Sequence, residues 1–195
     1  GTALVLLLIG YGVLFFIGVF WKIWATILAA ILLFSPIAYE FGLKDYQKVR
    51  IKDFLSEKPS YHVQQSIIAI GSGGLTGKSK DESTQTQMKF LPIATSDFIF
   101  AFVVERSGFL GALALILIYV MLILHLLSLS IFNKDYYIKV VSVAISFMIF
   151  IYMGVNISMT IGFAPVVGVP LPMFSYGGSS FLNFMILFAI MQNLI

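Results

Sequence analysis

Of 195 residues, 59% are hydrophobic and 11% are charged, against roughly 25% charged in an ordinary soluble domain. A chain of this size cannot hide so much apolar surface in a water-surrounded core, so a soluble enzyme, a nucleic-acid binder and a disordered segment are excluded, and the chain belongs in a lipid bilayer. The net charge of +3 forms no basic run that could serve as a nucleic-acid footprint, and the absence of cysteine excludes disulfides and thiolate metal sites.

A spanning helix needs roughly 20 mostly apolar residues. Residues 1–21 and 23–39 are uncharged with Lys22 alone between them, which predicts a tight hairpin of two spans. The chain starts with Gly inside an apolar run and carries no basic leader, so it reads as the C-terminal part of something longer. Residues 40–97 form a polar insert that holds fifteen of the 21 charged residues, eight Lys/Arg and seven Asp/Glu. In its first part Leu43, Tyr46, Val49 or Arg50, and Phe54 recur at three- to four-residue spacing among Lys and Asp, predicting a helix in the membrane interface over 43–55. Ile67 to Ile70, followed by Gly71, Gly73, Gly74 and Gly77, is too short to span. It is expected to dip into the protein or line a cavity.

Residues 107–132 are a third uncharged stretch, extended backwards by the apolar run 98–104. Residues 140–195 contain no Asp, Glu, Lys or Arg, but Pro165, Pro170 and Pro172 prevent a single helix. They divide the stretch into a span at 140–160, a Gly/Pro-rich re-entrant connector at 161–180, and a last span from Phe181. The expected fold is an all-α polytopic membrane protein of five transmembrane helices: two in residues 1–39 and three in residues 98–195, around the loop 40–97. The eight Lys/Arg of the insert, against Lys22, Lys134 and Lys139 opposite, would place it in the cytoplasm. That rule weakens for loops near about 60 residues, so composition leaves the side open.

Gly71-Ser72-Gly73-Gly74-Leu75-Thr76-Gly77-Lys78-Ser79 looks like a phosphate-binding loop, but Ser72 stands where the first glycine belongs and no buried strand precedes it. The glycines are better read as facing an anion with backbone amides, as allowing close helix packing, or as a plain turn. Asp97 stands directly before an apolar run, which suits a helix cap. It equally suits an ionised carboxylate at the mouth of a membrane cavity, ready to accept a proton. Glu105 lies eight residues along, about 12 Å of helix. With Arg106 it interrupts an apolar helix, where charges are costly and are either paired or functional. Gly108 and Gly111 just after them point to close packing. Asn156, Ser158 and Thr160 make one polar edge, read as interhelical hydrogen bonding. His125 reads as a core histidine, and with His62 as the only other one a histidine-rich metal site is excluded. Carboxylate-bound Mg²⁺ or Mn²⁺ stays open.

The connector and its flanks carry a family likeness. Asn156-x-x-Met159-x-x-Gly162-x-x-Pro165-x-x-Gly168-x-Pro170-Leu171-Pro172-x-x-Ser175-Tyr176-Gly177-Gly178-Ser179 resembles the C-terminal signature of the SEDS family (shape, elongation, division and sporulation; RodA and FtsW). Ala69-Ile70-Gly71-Ser72-Gly73-Gly74-Leu75-x-Gly77-Lys78 and Leu91-Pro92 through Asp97-Phe98-Ile99-Phe100-Ala101 resemble two further blocks in the expected order. Asp45-Tyr46-Gln47 with Arg50, and Val166-Val167-Gly168-Val169-Pro170, are more similar to the RodA branch than to FtsW.

The resemblance implies the second half of a ten-span glycosyltransferase of the bacterial cytoplasmic (inner) membrane. Such an enzyme polymerises peptidoglycan from lipid II for cell elongation and shape, with the large loop outside. It also implies Asp97 as the catalytic residue and a class B penicillin-binding protein as the cross-linking partner. The leaving pyrophosphate needs positive charge, from a divalent cation or from Arg50, Lys78 or Arg106. Glu105, Ser175 and Tyr176 complete the expected substrate-binding set. Where the family usually has Leu-Pro-Glu-x-His-Thr-Asp, this chain has Leu91-Pro92-Ile93-Ala94-Thr95-Ser96-Asp97, so Asp97 stands without the usual Glu and His. Arg106 takes the place of a second acid. A lipid-linked precursor flippase or transporter is the alternative that Glu105-Arg106 and the broken connector also fit, and a non-catalytic scaffold is a third.

Overall fold

The hydrophobic pattern resolves into helices in a computed structural model that describes residues 2–37, 39, 42, 44–56, 60–79 and 96–194. Seven α-helices and no strand occur among the described residues. They are α1 (Thr2–Phe16), α2 (Trp21–Ile37), α3 (Asp45–Leu55), α4 (Tyr61–Ser72), α5 (Ile99–Phe132), α6 (Tyr136–Thr160) and α7 (Gly178–Leu194). Glu40, Leu43 and the block Leu91 to Thr95 lie outside the described residues.

The antiparallel pair α5 and α6 is the centre of the fold. Ala112, Leu115, Tyr119 and Leu126 of α5 face Ile138, Ile145, Ile149 and Met153 of α6 in one continuous core. The outer face of α5 is apolar too, with Leu110, Leu113, Leu117, Met121 and Leu124 all exposed. A helix apolar on both faces suits lipid outside and protein inside, and the chain is a membrane protein. Of the five expected spans, α5 and α6 are long and apolar enough to cross a bilayer. The apolar helices α1, α2 and α7 have 15, 17 and 17 residues, at or just under the usual lower bound of about 17. His125, expected in the core, is exposed on α5.

Around this pair, α1 packs on α6 through Gly12, whose missing side chain makes room for the ring of Phe147, and through Phe16, edge-on to Phe147 at 5.5 Å. On the other side α7 sets Phe184 edge-on against Tyr152 at 5.6 Å and Met191 against the Ser142 hydroxyl. The first hairpin turns elsewhere than at Lys22. Residues 17–20 separate the helices, with Gly18 at φ +92°, and Lys22 sits in the first turn of α2, where its carbonyl accepts from the Thr26 hydroxyl at 2.8 Å. A left-handed residue reverses the chain more readily than one charged side chain in a good helix-forming run.

The second difference concerns α5. Residues 98–104 do extend it backwards, but not in a straight line, because Gly108 is non-helical at φ 65°, ψ −166°. The glycine turn after α4 fills the break. Amide N–H groups of Phe109 and Leu110 donate to the carbonyls of Gly74 (2.9 Å) and Leu75 (3.1 Å), and Lys78 N–H donates to the Glu105 carbonyl at 2.9 Å. The intrahelical bonds lost at the break are thus replaced by bonds to a neighbouring loop, as non-helical backbone within a membrane requires. Close packing is therefore what the glycines provide. A Cβ on Gly73 would sit 2.1 Å from the Val104 carbonyl oxygen, and one on Gly77 would sit 2.2 Å from that of Arg106.

The break decides where the chain before α5 ends up. With α5 and α6 joined by residues 133–135, a straight antiparallel hairpin would carry Asp97 some fifteen residues past Asn156, about 22 Å. Instead the Asp97 carbonyl lies 3.0 Å from Asn156 Nδ2. Gly108 folds the first turns of α5 back onto the end of α6.

Candidate functional site

Asp97 is half-buried at the start of α5. It is not the helix cap, which is Phe98, and no side chain caps that end. Its Oδ1 accepts from the Ser96 hydroxyl at 3.2 Å. Its Oδ2 faces Gly168 of the connector, where a Cβ would come within 3.4 Å. Gly168, at φ +71°, keeps this approach open.

The connector and its start are held by side chains from four helices. Asn156, fully buried on α6, donates to the carbonyls of Asp97 and of Val169 (2.7 Å). Tyr119 of α5 donates its hydroxyl hydrogen to the Pro172 carbonyl. Arg50 of α3 donates through Nη1 to the Val166 carbonyl at 2.9 Å. At the other end of the connector, the Ser175 hydroxyl accepts from Leu171 N–H at 2.7 Å and donates to the Ser96 carbonyl at 2.8 Å. Val169, Leu171 and Pro172 are thereby buried without secondary structure of their own, the form in which irregular backbone is tolerated in a bilayer. At the end of α6, where the connector starts, the Thr160 carbonyl accepts from the Ser66 hydroxyl of α4 at 2.7 Å.

The expected site residues therefore fall into two groups. Asp97, Ser175 and Arg50 gather around the connector. Glu105 and Lys78 gather at the break in α5, joined through the backbone. There Glu105 is fully buried. Arg106 turns outward instead and lies over the Phe102 ring at 6.0 Å, so of the two charges that interrupt the apolar helix only Glu105 is buried. Tyr176 is 83% exposed. Sequence reasoning placed Asn156 on a polar edge but did not find its partner, which lies 59 residues away. The signal was an asparagine in an otherwise apolar helix.

Two hollows flank this arrangement. One, of ≈ 240 Å³, lies between α3, the start of α4 and the connector, and is lined by Arg50, Ser60, His62, Val63, Pro165 and Val166 among others. The other, of ≈ 510 Å³, is lined by Ile99 and by residues from Phe174 to Phe181. Among the described residues no three His, Asp or Glu side chains converge on one point. They do not by themselves make a Mg²⁺ or Mn²⁺ site.

Fold and site together define a polytopic membrane protein that fixes a carboxylate at the mouth of a broken helix with an uncharged Gly/Pro-rich connector. The chain belongs to the FtsW/RodA/SpoVE family, described as "Cell cycle protein", which matches residues 1–195. It is 62% identical to peptidoglycan glycosyltransferase MrdB of Helicobacter pylori strain J99, over 100% of this chain and 51% of that protein. With MrdB of Escherichia coli K12 the identity is 38%, over 100% of this chain and 54% of the relative. A solved chain from "Structural coordination of polymerization and crosslinking by a peptidoglycan synthase complex" matches at TM-score 0.78 and 27% identity, covering 97% of this chain and 53% of that one. The chain spans about half the length of the curated relatives it matches.

Proposed function

We propose that this chain supplies the acid-bearing half of a RodA-like peptidoglycan glycosyltransferase, which polymerises lipid II for cell elongation in the bacterial inner membrane. The observation that carries the reading is the placement of Asp97. Its backbone is tied down by Asn156 and by the Ser175–Ser96 contact, while its carboxylate is left to a hydroxyl and a glycine. The names of the relatives favour polymerisation over transport of the precursor.

In this reading Asp97 takes the proton from a hydroxyl of the acceptor sugar as that oxygen attacks the anomeric carbon of the donor. The new glycosidic C–O bond forms while the bond from the anomeric carbon to the lipid pyrophosphate breaks, with inversion, and the negative charge leaves on the pyrophosphate. A positioned general base contributes about 10²- to 10⁴-fold. Arg50 is the described cation tied to the connector, and it has guanidinium donors beyond the one given to Val166. It is the first choice for meeting the leaving pyrophosphate. The polar loop would then face outward, and the cross-linking partner would be a class B penicillin-binding protein, in keeping with the synthase complex that holds the structural relative.

The test is glycan synthesis from lipid II by the full-length protein carrying Asp97→Asn. Loss of polymerisation by at least about 100-fold with an unchanged melting profile is expected. Near-normal rates in a folded variant would refute the assignment.

A further inference from the structure

We infer that Asn156 and Ser175 are positioning residues for Asp97, a two-rung clamp that sets the angle at which its carboxylate meets the acceptor; the inference rests on the catalytic reading of Asp97 given above. Each rung joins the same two segments. Asn156 Nδ2 uses both its hydrogens, one on the Asp97 carbonyl at 3.0 Å and one on the Val169 carbonyl at 2.7 Å. Ser175 Oγ takes the N–H of Leu171 at 2.7 Å and gives its own hydrogen to the Ser96 carbonyl at 2.8 Å. Two consecutive carbonyls, of Ser96 and Asp97, are thereby fastened to residues 169 and 171, on either side of Pro170.

The chemistry of the two side chains fits this role and leaves little for another. The amide of Asn156 has a defined orientation, because a flipped one would set oxygen against two carbonyl oxygens. Its Oδ1 is buried and has no hydrogen-bond partner among the described residues, so both of its described bonds are donated ones. Asn156 is 0% and Ser175 8% exposed, and the Ser175 hydroxyl already gives one bond and accepts another. Neither is therefore arranged to touch substrate, and Ser175 acts from behind the acid rather than in contact with the sugar. The clamp grips only the backbone, which leaves the Asp97 carboxylate free to exchange a proton. A displacement of about 1 Å in a reacting group is enough to cost about 100-fold in rate, so the rungs are expected to govern turnover more than binding.

The experiment measures lipid II polymerisation by the full-length protein with the variants Asn156→Asp, Ser175→Ala and Ser175→Thr, each also combined with Asp97→Asn. Asn156→Asp keeps the shape and leaves at most one donor, a carboxyl O–H, for the two carbonyls, and Ser175→Thr keeps the hydroxyl. The clamp predicts that kcat falls about 10- to 100-fold in Asn156→Asp and Ser175→Ala, with KM for lipid II within about twofold. Ser175→Thr should restore most of the rate. In the Asp97→Asn background neither substitution should lower the residual rate further, because residues acting through one group are not additive. Ser142→Ala, which removes a comparable buried hydroxyl–carbonyl bond toward the opposite end of α6, fourteen residues or about 21 Å of helix from Asn156, is the fold control and should keep kcat. If Asp97→Asn is inactive while folded Asn156→Asp and Ser175→Ala polymerise within twofold of wild type, the clamp is overturned and the catalytic acid stands. If Ser142→Ala loses as much kcat as the rung variants, or the double variants lose rate additively, the residues are merely structural. If Asp97→Asn itself keeps its rate, both readings fall together.

Discussion

Replacing Gly108 by alanine tests whether the break in α5 is built by its surroundings. At φ 65°, ψ −166° the residue occupies a region open essentially to glycine alone, and an L side chain there costs about 1–3 kcal/mol. The added Cβ would also lie 2.4 Å from both Gly77 N and the Leu75 carbonyl oxygen, and 2.5 Å from Leu75 C. These are backbone atoms, so no rotamer change relieves the overlap. The glycine turn would have to retreat by about 1 Å to reach an ordinary contact, releasing its bonds to Phe109, Leu110 and Glu105. Each such bond contributes about 0.5–1.5 kcal/mol net, so the whole penalty comes to about 3–7 kcal/mol. That is a large share of the 5–15 kcal/mol that holds a typical domain together. The alternative escape, a straightened α5, would pull Asp97 away from Asn156 by about 22 Å. On the proposed function, either route should abolish polymerisation. Thermal unfolding of the purified full-length protein in detergent measures the effect, with Gly71→Ala as reference. A Cβ on Gly71 meets nothing within 4 Å, so that change should be neutral or stabilising by up to about 1 kcal/mol. A Gly108→Ala protein that melts within about 1 °C of wild type and polymerises normally would refute the account of the break.

Two further expectations concern the connector. Tyr119→Phe leaves the Pro172 carbonyl without its donor and should lower stability by about 1–3 kcal/mol, the usual cost of an unsatisfied buried group, as read from the shift in thermal midpoint against wild type. Arg50→Ala removes an exposed side chain and should change stability by less than about 1 kcal/mol, yet raise KM for lipid II several-fold. Arg50→Lys should recover only part of that loss, because a lysine lacks the planar fork. An unchanged KM in Arg50→Ala would remove Arg50 from the site.

Much of this was legible before any coordinate. Apolar runs and prolines locate the spans and the connector because backbone in a bilayer has few alternatives. The repeat of Val49 or Arg50 and Phe54 marks α3, and the signature around Ser175 marks the connector against which Ser96 and Asp97 lie. What was hidden depends on partners distant in sequence. Gly108 in an apolar stretch reads as a packing glycine, since nothing nearby in sequence shows that residues 73–78 fill the break. Glu105 and Arg106 are adjacent and equally costly in lipid, yet successive helical positions differ by 100°, which puts one fully inside and the other out over Phe102. Asn156 could be seen as polar but not as the hold on a residue 59 positions earlier.

The scarcity of charge and the manner of holding Asp97 have one physical cause. A cation fixed against a carboxylate in a medium of low dielectric favours the ionised form strongly, which makes the group a poorer base. A carboxylate that must accept a proton is better aimed through neutral contacts on its own backbone. Among the described residues the site contains amide and hydroxyl donors on the carbonyls of Ser96 and Asp97, a serine hydroxyl on one carboxylate oxygen and a glycine opposite the other. Among the described residues, the cation tied to the connector, Arg50, gives its bond to Val166. Backbone aiming of this kind works only if the helix bearing the acid is brought to the connector, and Gly108 does that by folding the start of α5 back onto α6. The acid's position thus depends on a glycine eleven residues away, and the two are inseparable in function although no side chain links them.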